Sequence, residues 1–278
     1  MRSTRDVIYN VDGLTMVAYL ARPQGEGPWP AVLIGHDGVG LESYQRSRAD
    51  DLAARGYLAF AMDYHGGEVF FGRPEAMLAR TMPLTADVGR MQAIGSTALD
   101  NLLAEPGVDP DRLVALGYGA GGRILLELAR AGAPFKAIAL VHPGLPEANA
   151  NAEDWTGVSS SFLLCTGSAD PLCTPDQILS FGRTLQNAGL DWRANIYGGA
   201  KHAFWARPKD LDGTVTVPGV GPHPIHAARA WQAVLDQFEE TLEASSKLAG
   251  AINLSSEAPS LKIFWCREAR RQWLFKRA

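Results

Sequence analysis

Cysteine is scarce in this chain. There are three in 278 residues, Cys165, Cys173 and Cys266, too few and too irregularly spaced for a disulfide framework or a zinc site. No apolar run approaches the roughly 18–20 residues that span a bilayer. The start, MRSTRDVIYN, lacks the apolar core and small-residue cleavage site of a secretory leader. Internal repeats and low-complexity stretches are absent, and no histidines take the H-x-x-x-H or H-E-x-x-H spacing of a helical zinc site. Together these absences predict a reduced, cytoplasmic protein with no metal and no cofactor.

Positive charge is also short over most of the chain. The net charge is −4, yet Lys262 to Ala278 holds six cations against Glu268, a balance of +5, so the remainder carries −9. An acidic body argues against nucleic acid, whose phosphates need clustered cations. The expected partner is a small molecule, with no membrane partner, on a monomer or homodimer.

What is present is an alternation of strands and helices. DVIYNVDGLTMVAYLARP (6–23) predicts a hairpin about Asp12-Gly13. Short apolar runs at 30–35, 57–63, 113–117, 136–142, 161–167 and 191–199 predict buried strands. Helices are expected at 43–56, within 85–104, and at 121–131, 174–189 and 223–244; the stretch between the strand ending at 63 and the helix within 85–104 reads as loop. Thr174, Pro175 and Gln177 form a capping box with proline at the first helical position. Nearly all-apolar strands separated by helices imply a mostly parallel central sheet covered on both faces, preceded by the hairpin. One α/β domain over 1–246 fits best.

Ligands of such sheets bind beyond the carboxyl ends of the strands, and acids and histidines concentrate there. Gly117-Tyr118-Gly119-Ala120-Gly121 has the form of a nucleophile elbow, a tight strand-to-helix turn that presents a serine or cysteine. Its central residue is Gly119. Asp170 follows a later strand and His202 the last one, the chain order nucleophile, acid, base. An imidazole takes the proton of an attacking group, a carboxylate fixes its tautomer, and backbone amides meet the oxyanion. The expected amides are those of Ala120 and of Gly38, with Asp37 as the alternative to Gly38. The expected pocket lining is His36, Asp37, Tyr64, His142, Arg90 and Trp205, with His65 also read as lining rather than catalytic.

Other readings of the same residues are weaker. GYGAGG fits G-x-G-x-x-G, but it lies too late in the chain for a dinucleotide fingerprint. His36, Asp37, Asp63 and His65 have metal-binding side chains without metal-binding spacing. Cys165 reads as core, and Cys173 as packing rather than a substitute thiol.

The chain resembles the dienelactone hydrolase family, within the α/β-hydrolase fold. The likeness rests on HDGVGLESYQRSRADDLAARGYLAFAMDYHGG (36–67), EPGVDPDRLVALGYGAGG (105–122), GSADPLCTPDQI (167–178), KHAF (201–204) and PGVGPHPIHAARAWQAVLDQF (218–238). The resemblance implies hydrolysis of a small ester or lactone, with the nucleophile at position 119, the acid at Asp170 and the base at His202. It also implies that a carboxylate contacting the nucleophile falls on Asp37. The arginines that grip a dienelactone carboxylate do not map cleanly; Arg80, Arg90 and Arg207 are the candidates.

Glycine cannot attack a carbonyl, so three readings follow. The nucleophile was removed by engineering, or water activated by His202 replaces it, or the pocket now only binds. The segment 247–278 lies outside the family pattern. Its shift in composition is read as read-through into vector or neighbouring DNA.

Overall fold

The computed structural model describes residues 3–146, 151–206 and 217–254, with 244–254 described as backbone only. The chain opens with the hairpin β1 (Ser3–Val11) and β2 (Leu14–Arg22). Asp12 and Gly13 have φ of 49° and 79°, the paired positive values of the tight turn whose twist suits a two-residue hairpin. Then follow β3 (Trp29–Gly35), α1 (Ser43–Ala54), β4 (Leu58–Met62), α2 (Pro74–Ala86), α3 (Val88–Leu103), β5 (Val108–Tyr118) and α4 (Gly119–Arg130). The second half adds β6 (Ala137–Val141), β7 (Ser161–Gly167), α5 (Pro175–Asn187), β8 (Trp192–Tyr197) and α6 (Pro224–Leu254).

The eight strands form one sheet in the order β1-β2-β4-β3-β5-β6-β7-β8. β1 pairs antiparallel with β2 and β2 with β4, and every later pairing is parallel. This is the α/β-hydrolase architecture, a mostly parallel sheet with helices on both faces. Successive side chains of a strand point to opposite faces, and the core divides accordingly. Leu33 and Phe60 pack with Ile94, Leu99 and Ile124 of α3 and α4. Val32, Ile34 and Ala61 pack with Leu52 of α1 and with Val234 and Phe238 of α6. Each fully buried side chain of this size contributes about 1.5–3 kcal/mol relative to exposure. Among the described residues no helix is long and apolar enough to cross a membrane.

Two expectations change. Residues 74–86, expected as loop, form α2. Pro83 lies inside it near the C-terminal end, and only Leu84 of the helix is buried. α2 therefore has no apolar stripe directed at the core. Asp87 then caps α3, its carboxylate accepting from the Arg90 amide at 2.9 Å. At the other end, α6 runs past 244 to Leu254, so the start of the 247–278 segment continues that helix. Residues 255–278, including Cys266, lie outside the described residues.

Candidate active site

The elbow is built by close approach of backbone. A Cβ on Gly121 would fall 2.2 Å from the His36 carbonyl oxygen, and one on Gly35 would fall 2.8 Å from the Gly121 oxygen. Only glycine at both positions lets α4 start against the end of β3. The Gly121 amide donates to the His36 carbonyl at 2.9 Å, which ties the elbow to the loop after β3. Tyr118 is extended (φ −115°, ψ 132°) and Gly119 turns left-handed at φ 47°. That is the strained conformation of an elbow, here held by the residue that tolerates it best.

Asp37, Gly38, Gly119, Ala120, His142, His202 and Trp205 all line one cavity of about 1130 Å³. His202 Nδ1 donates to Asp170 Oδ2 at 2.9 Å and lies 3.1 Å from Oδ1. That leaves Nε2 as the basic nitrogen. Asp170 is buried, and its Oδ1 accepts from the Leu172 and Cys173 amides, both at 2.8 Å. His202 is fixed in turn by its backbone, its amide donating to Gly219 and its carbonyl accepting from Gly221 at 2.9 and 3.0 Å. As the second residue of α4, Ala120 has an amide with no intrahelical acceptor. No described residue accepts from the Gly38 amide. Both residues line the cavity.

Asp37 stands beside the elbow. Its Oδ1 accepts from the Val39 amide at 2.9 Å, and burial pushes its carboxyl above the ordinary value despite that bond and despite His36 and His202 nearby. His142 is buried, with a left-handed φ of 41°. Its Nε2 accepts the indole N–H of Trp205, and its ring meets that of His202 edge-on. Burial, then the neighbouring His202, drive its imidazole well below the ordinary value, so it is neutral, and the acceptor role of Nε2 puts the proton on Nδ1.

Four of the expected lining residues lie elsewhere. His36 and Tyr64 are buried beneath the loop. The Tyr64 hydroxyl lies 2.7 Å from the carbonyl oxygens of both His36 and Asp37, so both side chains support the backbone that carries Gly38. Arg90 is exposed in the first turn of α3 and does not line the cavity. Arg80 points to the His65 carbonyl, and Arg207 lies outside the described residues. His65 does not line the cavity either; its Nε2 donates to the Gly38 carbonyl at 3.0 Å. Burial, with His36 beside it, pushes its imidazole down to about 3.

Asp63 completes this support. It accepts from the amides of Val17 (2.9 Å), His65 (2.8 Å) and Gly67 (2.6 Å). Burial pushes its carboxyl up, but the His36 imidazole and the amides of Val17 and His65 outweigh it and hold it at about 2. Its oxygens are occupied, and among the described residues no group of histidine, cysteine and acidic side chains is placed to hold a metal ion. Cys165 and Cys173 are buried, and burial pushes both thiols up to about 12, so neither supplies a thiolate.

The cavity's outer wall was not among the expectations. Phe70, Phe71, Met77, Leu78 and Met82, from α2 and the loop before it, line the cavity together with Leu172. These residues carry no motif, and α2 itself was unexpected.

The comparisons with known proteins agree with this architecture. The model of the dienelactone hydrolase family matches residues 16–242. A Bradyrhizobium protein named "Probable 2-oxo-3-(5-oxofuran-2-ylidene)propanoate lactonase" is 27% identical over 232 residues, covering 81% of this chain and 89% of that protein. Among solved structures, "m3DLH" superposes with a TM-score of 0.77 at 34% identity, over 86% of this chain and 98% of that one. A dienelactone hydrolase-like promiscuous phosphotriesterase, P91, from metagenomic libraries, superposes with a TM-score of 0.79 at 30% identity, over the same shares.

Proposed function

Because the chain belongs to the dienelactone hydrolase family, we propose that its cavity is the acyl-transfer site of a hydrolase of small carboxylic esters or lactones, with the nucleophile removed at Gly119. One observation carries this reading. His202, Gly38, Ala120 and the left-handed turn at Gly119 all border the same cavity, with Asp170 buried behind His202 and hydrogen-bonded to its Nδ1.

With a thiol or hydroxyl at position 119, the chemistry is direct. His202 Nε2 takes the proton as the sulfur or oxygen attacks the carbonyl carbon. Asp170, hydrogen-bonded to Nδ1–H, stabilises the resulting imidazolium. The carbonyl oxygen becomes an oxyanion and accepts from the Ala120 amide, at the positive end of α4, and from the Gly38 amide in the loop after β3. Collapse expels the alcohol, which takes the proton back from His202, and water then releases the acid by the same sequence. With glycine in place the first bond cannot form. The chain as written has low or no turnover.

The intact His202–Asp170 pair, with the His202 side chain 19% exposed, supports a second reading in which Nε2 deprotonates water directly. In serine systems the remaining machinery keeps roughly 10³–10⁴-fold catalysis over water once the triad is broken. The test is hydrolysis of 4-nitrophenyl acetate by the chain, Gly119→Cys and Gly119→Ser, each with and without His202→Ala. A rate gain of orders of magnitude that His202→Ala abolishes is expected. Slow turnover by the unsubstituted chain, lost with His202→Ala, would favour the water route. No turnover by any form would leave a binding pocket.

A further inference from the structure

We propose that this site selects uncharged esters with a bulky apolar group and rejects substrates that carry a carboxylate. The inference rests on reading the cavity as an ester site and specifies what enters it.

Size is the first observation. Pockets for small ligands run to about 300–1,000 Å³, and this one, at about 1130 Å³, is larger than a compact lactone requires. The second is where the apolar side chains go. α2 directs only Leu84 into the protein, while Leu78 and Met82 remain 51% and 62% exposed and line the opening. Leu172, 65% exposed, lines the same cavity from the loop that carries Asp170. Apolar side chains clustered on a surface mark a binding site rather than a neutral face. The cluster extends the reacting centre outward, as an acyl or alcohol tail would require.

Charge is the third. Every described arginine of the lining is engaged by a carboxylate: Arg73 by Glu68 at 3.0 Å, Arg123 by Glu127 at 3.0 Å, and Arg130 by Glu127 at 2.9 Å. Asp37, Glu42 and Asp154 border the same space. A substrate carboxylate would lose water there, find each described guanidinium of the lining already paired with a carboxylate, and meet further carboxyl groups. An uncharged group bears none of these costs.

The absent nucleophile makes the test direct, since binding can be read without turnover. The chain is titrated calorimetrically with 4-nitrophenyl hexanoate and with mono-(4-nitrophenyl) adipate, which matches it in length but ends in a carboxylate. The same titrations are made on Leu78→Lys/Met82→Lys, whose exposed positions leave the core untouched. The hexanoate is expected to bind at least about ten-fold tighter, the factor that one unmatched charge commonly imposes. The double substitution is expected to weaken hexanoate binding and narrow that ratio. Equal or tighter binding of the adipate, no binding of either, or a ratio unmoved by the lysines would overturn the proposal. Hydrolysis by Gly119→Cys is a separate readout, so a pocket with the wrong selectivity is distinguishable from a site that is no hydrolase.

Discussion

A Cβ placed on Gly119 would stand 3.2 Å from the Cβ of Asp37 and 3.4 Å from Cε1 of His142, on a backbone already turned to φ 47°. A side chain at this position therefore needs its neighbours to give slightly, and it adopts a conformation that costs most residues energy. Replacing Gly119 by Ser or Cys should lower stability by roughly 1–3 kcal/mol, measured as a shift in urea midpoint at unchanged m-value. The same substitutions should raise esterase activity, a trade of stability for chemistry. A variant as stable as the parent would show that the elbow carries no such strain.

Asp170 acts through His202. In the Gly119→Cys background, Asp170→Asn should reduce kcat by about 10⁴-fold, the scale seen when the analogous carboxylate of a serine triad becomes an amide. KM should change far less, since Asp170 is buried behind the imidazole. A matched loss in both parameters would instead mean a collapsed pocket.

Acid should destabilise the fold in a defined window. His65 is pushed down to about 3 from its ordinary 6.5, so below 6.5 the unfolded chain takes up a proton that the folded chain refuses. Stability is complete above 6.5 and falls as the pH drops towards 3. Asp63, held at about 2 against 3.8, adds a loss of the same sign between those values. His65→Gln keeps a donor for the Gly38 carbonyl and cannot be protonated, so its Tm should decline less steeply between pH 6.5 and 4. Superimposable profiles would count against this origin of acid sensitivity.

His142 should stay neutral through the physiological range. Its burial and the neighbouring His202 disfavour the imidazolium, and Trp205 occupies Nε2. Nitrogen NMR of ring-labelled protein should show the Nδ1–H tautomer with no titration between pH 5 and 8. Trp205→Phe should allow both tautomers while the ring stays neutral. A His142 that titrates near 6.5 would contradict the buried placement.

Much of this molecule was legible where local chemistry decides the outcome. Asp12-Gly13 supplies the two positive φ values of a tight hairpin turn, and Thr174 with Gln177 forms the expected reciprocal cap on α5. The elbow, Asp170 and His202 could be read from strand-end position and chain order, because a parallel sheet brings those ends together. Tertiary packing decided the rest. His36 and Tyr64 occupy strand-end positions like the true lining residues, yet their side chains turn beneath the loop, a choice that the spacing does not encode. α2 contains Pro83 and lacks a buried stripe, and its apolar residues acquire meaning only once the cavity exists.

The central claim is that position 119 is where an acyl group would be held. The most direct measurement is intact-protein mass spectrometry of Gly119→Cys, acid-quenched within its first turnovers of 4-nitrophenyl acetate, with the unsubstituted chain alongside. An added acetyl mass is expected on the variant, mapped to position 119 by peptide digestion, and none at that position on the chain with glycine. Turnover by the variant without an adduct, or an adduct on a different residue, would contradict it.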